Sequence, residues 1–527
     1  MSAALPNEAE TLKRLLARSQ AELLEARLMV EKLKLQILHY KRAKFGASSE
    51  HLTELAQLEL LVEELEGEPA AIDVGATAGI PEESASDQGE AGPVQRKRPA
   101  RKPLAAHLPR ETVVHQPPNT ERCACAGCNG ALRLLGQDVA EVLEMVPARF
   151  KVIRHVRPKY ACAKCQTIVQ AAAPGRPIAR GLAGPGLLAH VLVSKFADHL
   201  PLYRQSEIYA REGVELERSS LAGMVGGAAA LLEPLLGALE RHVLSADKLH
   251  GDDTPVPVLA PGRGRTKTAR LWVYVRDERP MAGTVPPAVW FQYSPDRRGE
   301  RPQAHLKSFT GILQADGYAG FDALYASGRV SEAACWAHAR RKYFELHKDT
   351  GSPQAQEALR RIGELYAIEK TIRGKPPDER CRIRQLLAQP RLAEFKQWMD
   401  QTLAATSVKS ALARAILYSH RRWAALSRYA NDGRIEIDNN AAEREIRAVA
   451  LGRKNWLHAG SDAGGERAAA MYSLIGSPKL NGMDPHAYLR HVLERIAEHP
   501  VNRVDELLPW NVAGQIERDT AGQRLAA

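Results

Sequence analysis

Residues 248–346 alternate between two periodicities, and this alternation limits the folds open to the chain. KLHGDDTPVPVL (248–259), ARLWVYVRD (269–277) and AVWFQYSP (288–295) are rich in Val, Trp and Tyr and are separated by turn residues, so each predicts a strand. A helix is expected over 301–309. GILQADGYAG (311–320) predicts a fourth, short strand ending at Asp316-Gly317, and EAACWAHARRKYFEL (332–346) a fifth strand running into a helix. Residues 347–430 are charged and helical in pattern, with Gly, Pro and Asp breaks. IDNNAAEREIRAVALGRKNWLHAG (437–460) predicts a further helix, with Asp438 as its cap, Ala441, Ala442, Ala448 and Ala450 as strong helix formers, and Gly452 loosening its end.

Three strands, a helix, a strand and then helices is the order of a ribonuclease H-like fold. In that fold the first strand, the end of the fourth and a late helix meet at one sheet edge, here bringing Asp252, Asp316 and Glu443 together. Converging carboxylates cannot all ionise without cations, so this set would hold Mg²⁺ or Mn²⁺ through oxygen. Two such ions can activate water or a 3′-hydroxyl and stabilise a leaving oxygen, which is phosphodiester chemistry. Each acid also has a plainer reading. Asp316-Gly317 is a turn signature. Asp252 and Asp253 are strand neighbours that face opposite sides, so either could be the site residue. Asn440, Glu443, Arg447 and Lys454 share one helix face, which suits either a solvated Glu–Arg pair or a metal-binding carboxylate flanked by phosphate-binding cations.

A chain of 527 residues favours several domains over one core, and 44% hydrophobic content is enough to pack them. The formal charge of +11 favours a polyanionic partner, nucleic acid or a membrane surface. No apolar run is long enough to cross a bilayer, and MSAALPNEAE has no signal-peptide core. A cytoplasmic location is therefore expected, where the seven cysteines suggest metal or core roles before disulfides.

The remaining segments read as modules. In residues 1–65, Leu16, Leu23, Val30 and Ile37 recur every seven residues, which fits a self-associating coiled coil or a single-chain helical hairpin. Residues 66–110 form an acidic linker without apolar period, ending in a basic run with Arg96, Lys97 and Arg98 suited to phosphate contact. Residues 111–175 hold Cys125-x2-Cys128 and Cys162-x2-Cys165, separated by strand-like sequence that includes Arg154, Arg157 and Lys159. Two such pairs suit tetrahedral Zn²⁺, with Cys123 as an alternative ligand. Residues 176–245 read as helical. RQSEIYAREGVELERSSLAGMV (204–225) has helix-turn-helix grammar, with a turn at Gly213-Val214 and Ser219 or Ser220 capping a second helix that presents Arg218. An ordinary helical pair explains the same letters. The core then spans 246–346, an insertion 347–430, the acid-bearing helix 431–465 and a helical end 466–527. The whole is multidomain α+β.

The chain resembles the transposases of bacterial insertion-sequence family sixty-six from Leu28 to about Val501. The resemblance is carried by KFGASSE (44–50), the two C-x-x-C pairs, SKFADHLPLYRQSEIYAREGVEL (194–216), DDTPVPVL (252–259), LWVYVRD (271–277), LQADGYAGF (313–321), CWAHARRKYF (335–344), DNNAAEREIR (438–447), GRKNWLHAGSD (452–462) and YSLIGSPKLNGMDPHAYL (472–489). It implies a DDE transposase with Asp252, Asp316 and Glu443 as catalytic acids and zinc at Cys125, Cys128, Cys162 and Cys165. The expected partners are transposon-end and target DNA, a second copy of the chain, and accessory proteins of the same element, at the bacterial nucleoid. Arg96, Lys97, Arg98, Arg154, Arg218, Arg447 and Lys454 are the expected DNA contacts. Cys335-x2-His338 resembles a C-x-x-H found where some other DDE transposases enter a helical insertion. A core Cys beside a surface His is the other reading.

Overall fold

The computed structural model describes residues 110–116, 131–146 and 149–526 apart from 180, 261 and 263, together with Leu104 and Leu108. The expected coiled coil, the basic run Arg96–Arg98 and the cysteines Cys123, Cys125 and Cys128 lie outside these residues.

The first sheet contains β1 (Arg110–Val114), β2 (Leu132–Val146), β3 (Arg149–Cys162) and β4 (Ile168–Gln170), ordered β1-β3-β2 with β4 also on β3. β2 and β3 form a long antiparallel hairpin from Val146↔Arg149 to Leu132↔Cys162. Cross-strand charges stitch it, with Lys159 2.6 Å and Arg157 3.6 Å from Asp138, and Lys151 ties β3 to β1 at 2.9 Å from Glu111.

Helices Pro185–Phe196, Leu202–Arg211, Arg218–Leu231 and Glu233–Leu244 follow, as the apolar period of 176–245 predicts. Gly213 supplies the turn with φ of +80°. The expected serine cap is not formed. Glu217 holds the N-cap position without a side-chain cap bond, and Ser219 and Ser220 lie inside the first turn, because the helix starts at Arg218, two or three residues earlier than a serine cap would require.

The second sheet contains β5 (Lys248–Val258), β6 (Lys267–Arg276), β7 (Ala288–Ser294), β8 (Gly311–Ala315) and β9 (Val330–Ala334), ordered β7-β6-β5-β8-β9. The β5–β6 and β6–β7 pairs are antiparallel, while β5–β8 and β8–β9 are parallel. All five strands match expectation. The helix expected over 301–309 is shorter, Glu300–His305, because the chain then turns to bury Leu306 and Phe309. β7 is an edge strand whose outward amides are satisfied by helix Asp462–Leu480. Phe291 N donates to Ser473 Oγ at 2.7 Å and Val289 N to Ser477 Oγ at 3.1 Å. Two serines four residues apart thus cap the strand edge with the same helix face that packs on it.

Residues 336–427 are helical and build a second core around Trp336, Tyr343, Ile362, Phe395 and Ile416, which also takes in Ile312 and Ala333 of the sheet. Ile435 and Ile437 belong to this core and lead the chain back to the helix Asn440–Trp456. Here two expectations are corrected. Asp438 does not occupy the cap position, which falls to Asn439; instead its carboxylate accepts from Asn440 N (3.2 Å) and Asn440 Nδ2 (3.1 Å), an Asx turn before the helix. Nor does Gly452 loosen the end, since the helix runs on to Trp456. A Cβ at Gly452 would stand 2.3 Å from His199 Nδ1, so the position admits the His199 ring, not a break. Beyond the helix, Ala459 N donates to Pro257 O (2.8 Å) and Ala459 O accepts from Leu259 N (2.9 Å), adding this segment to the far end of β5. Among the described residues no single helix is long and apolar enough to cross a membrane.

Candidate active site

Strand register brings the first two acids together. Gly251 of β5 pairs with Ala315 of β8 in a parallel ladder, so the residues that follow, Asp252 and Asp316, leave the ladder side by side. Of the two adjacent aspartates on β5, Asp253 is neutralised by arginines, with Arg297 at 2.8 Å and Arg270 at 3.1 Å. Asp252 instead accepts a 2.7 Å hydrogen bond from the Asp253 amide and faces other acids. Burial, then the nearby charges of Asp316 and Glu443, raise its carboxyl well above the ordinary aspartate range. Strand position alone leaves the two ambiguous, and the resemblance names Asp252; the structure distinguishes them in that Asp253 pairs with Arg297 and Arg270.

Asp316 sits just past β8. Its carboxylate accepts from Tyr318 N at 3.1 Å, and Arg297 stands 3.8 Å away. Burial raises its pKa against the pull of Arg297. The Arg297 guanidinium lies over the Tyr318 ring at 4.2 Å, and the Tyr318 hydroxyl donates to the Arg297 carbonyl oxygen, closing the loop around the acid. From the helical insertion, Arg422 Nη2 donates to Gly317 O at 2.6 Å. A Cβ on Gly317 would stand 2.1 Å from Arg422 Nε, so glycine is present here because an arginine lies against the backbone.

Glu443 is placed by the entry to its helix. Asn439, fully buried, donates from Nδ2 to Gly251 O at 2.9 Å. Its Oδ1 accepts from His250 Nδ1 at 3.0 Å, the imidazole being neutral because burial drives its pKa down to about 3. The Asn439 amide donates to Cys335 Sγ at 3.2 Å. One residue therefore ties β5, the end of β9 and the acid-bearing helix together, and carries Glu443 toward Asp252.

The sequence profile of the Transposase IS66 family covers residues 180–467, and so spans every one of these groups. The chain belongs to the IS66 transposase family. Its flanks match further IS66 profiles: a zinc-finger binding domain over 122–166, a C-terminal element over 473–510, and a segment described as Transposase C of IS166 homeodomain over 32–113. Among similar proteins, uncharacterized protein y4hP of Sinorhizobium fredii (strain NBRC 101917 / NGR234) is 43% identical over 495 residues, covering 91% of this chain and 88% of the relative. Uncharacterized protein y4jD of the same strain is 39% identical over 497 residues, covering 92% and 95%.

The other predicted residues of this IS66 chain are spread over the structure. Cys162 is buried at the end of β3 and Cys165 is exposed three residues on. The chain just after Cys128 arrives beside them, since Ala131 O accepts from Ala163 N at 3.0 Å. Arg154 lies on β3, 3.9 Å from Glu141, and Arg218 opens the second helix of the helical pair. Arg447 lies one turn along the helix from Glu443, and Lys454 is exposed in its last turn. Arg297, Arg422 and Asn439 were not anticipated; each acts through a contact between segments far apart in sequence. His338, noticed only as part of C-x-x-H, brings Nδ1 to 3.6 Å from Glu443 Oε1.

Proposed function

We propose that this IS66 family member is a DDE-type DNA transposase that binds the terminal inverted repeats of its element, cuts DNA there and joins the freed 3′-hydroxyl to target DNA. The observation that supports the reading is the Gly251–Ala315 register, which sets Asp252 beside Asp316, together with the charges of Asp316 and Glu443 that act on Asp252, while the adjacent Asp253 pairs with Arg270 and Arg297. The strand order β7-β6-β5-β8-β9, with β6 antiparallel to its neighbours, supports a ribonuclease H-like core with a helical insertion between β9 and the acid-bearing helix.

The donor set fits Mg²⁺ or Mn²⁺: three carboxylates supply oxygen ligands, and the burial and mutual repulsion that together raise Asp252 are relieved by divalent charge. When bound, such ions supply an activated oxygen nucleophile and neutralise the leaving oxygen. The chain's own part is to fix the geometry. Asn439 holds Glu443 against β5, Arg422 and Tyr318 fix the turn that carries Asp316, and Asp253 is removed from the ligand set by its arginines. Arg447 and Lys454, on the Glu443 helix, are placed to contact DNA phosphates.

Structural zinc held by Cys125, Cys128, Cys162 and Cys165 agrees with the zinc-finger profile over 122–166. Four thiolates leave no open position for water, so this module would bind DNA and do no chemistry. Arg96, Lys97, Arg98, Arg154 and Arg218 complete the proposed grip on transposon ends, with salt-dependent affinity. The proposed setting is a homo-oligomer on the bacterial nucleoid, with accessory proteins of the same element. The deciding experiment incubates the protein with paired transposon-end DNA, target DNA and Mg²⁺. Cleavage at the ends followed by joining is expected; cleavage without joining would make it a nuclease, and no metal-dependent cleavage would reduce it to a DNA-binding regulator.

A further inference from the structure

His338 is the third residue of helix Trp336–Thr350 and faces Glu443 across 3.6 Å, outside hydrogen-bond range. Its Nδ1 is buried and has no hydrogen-bond partner among the described residues. A buried ring nitrogen left this way costs free energy and calls for a reason. Cys335 completes a cluster in which one ligand atom from each of Cys335, His338 and Glu443 lies within 4.8 Å of the others.

Three observations distinguish the members. Bonds of roughly 2.1 Å to a small divalent ion span up to about 4.2 Å, so one ion can touch both Nδ1 and the Glu443 carboxylate. Nδ1 is the ring atom that faces Glu443, and it is buried without a hydrogen-bond partner among the described residues, so it is free to donate to an ion there. Cys335 is different. Its sulfur already accepts the Asn439 amide at 3.2 Å and so serves to anchor the helix start.

We propose that His338 is a fourth protein ligand at the catalytic metal site, binding through Nδ1 the ion that Glu443 carries, and that this nitrogen turns the site's preference from Mg²⁺ toward Mn²⁺. The inference rests on the three-carboxylate reading given above. Its chemistry is ligand type: carboxylate oxygen serves both ions, whereas imidazole favours the transition metal.

The test uses the full zinc-loaded chain with Mn²⁺ or Mg²⁺ alone. Electron spin-echo spectroscopy of bound Mn²⁺ is expected to show coupling to an imidazole nitrogen. His338→Asn places an amide near the same position; it should abolish that coupling and weaken Mn²⁺ binding about tenfold while changing Mg²⁺ binding much less. Cys335→Ala should keep the coupling. No nitrogen coupling in the wild type, or unchanged Mn²⁺ affinity in His338→Asn, overturns the proposal. So does loss of Mn²⁺ binding in a folded Cys335→Ala protein, which would make the thiolate the ligand. Asp316→Asn separates the two levels: if it leaves metal binding untouched, the carboxylate reading itself fails, whatever His338 does.

Discussion

Arg422, at the end of the helical insertion, donates from Nη2 to the carbonyl oxygen of Gly317 at 2.6 Å, so the insertion grips the turn that presents Asp316. Gly317→Ala would drive a methyl into the guanidinium. An arginine tip can move cheaply, so stability should change by less than about 1 kcal/mol, but the contact would be lost. DNA cleavage is expected to fall roughly tenfold to a hundredfold, as misplacement of a reacting group does. Arg422→Ala should cause a similar loss, and the double variant little more than either alone. Fully additive losses would show that the two residues act separately.

Asp316→Asn is nearly isosteric and should fold, keep its zinc and bind transposon ends. Cleavage and joining should both fall by a thousandfold or more, roughly 4 kcal/mol of transition-state stabilisation. Asp322, which opens a short helix six residues on, provides the control: Asp322→Asn should stay active. Near-normal cleavage by Asp316→Asn in Mg²⁺ would remove Asp316 from the site.

Asn439→Ala removes two side-chain connections at once in a fully buried place, leaving His250 Nδ1 and Gly251 O without their partner. The expected cost is about 2–4 kcal/mol in urea unfolding. Asn439→Ser should recover little, because a hydroxyl is too short to reach both groups.

Glu436 lies among Lys248 (3.6 Å) and Arg380 (3.0 Å), both buried. Burial alone would raise its pKa, but Lys248 and Arg380 outweigh it and hold the carboxyl below its usual value. A carboxylate with a depressed folded pKa contributes stability that is complete above its unfolded value, near 4.5, and is lost as pH falls through the folded value. Glu436→Gln strands two buried cations, so it should destabilise the chain by about 3 kcal/mol at pH 7. Melting curves taken at decreasing pH should show wild type and variant converging as pH falls below 4.5. A constant gap down to pH 3 would mean that shape, not charge, sets the cost.

Cys162→Ser should lower bound zinc, measured by elemental analysis, without changing the metal requirement of cleavage. Wild-type protein with zinc content near zero would refute the four-thiolate assignment.

The five core strands were legible because Val, Trp and Tyr cluster there between turn residues, and that local signal survives packing. The acids were legible as candidates, but the different surroundings of Asp252 and Asp253 were not. They depend on Arg270 standing across the β5–β6 ladder and Arg297 arriving from beyond β7. The caps misled for a related reason. Asp438 and Asn439 both suit a helix start, and tertiary contacts to His250, Gly251 and Cys335 claimed Asn439. Arg422 carries no local signal for its contact with Gly317, since its partner is 105 residues away.

The helix Asn440–Trp456 is tied to β5 at both ends, by Asn439 to Gly251 and by Ala459 to Pro257. Strand and helix thus form a splint, and Asp252 and Glu443 ride on it as fixed points. Asp316 stands on a separate turn, held by side chains from two other segments. Any event that arms or disarms the site, such as DNA docking against the insertion, has one adjustable jaw to work on, and Arg422 is the handle that reaches it.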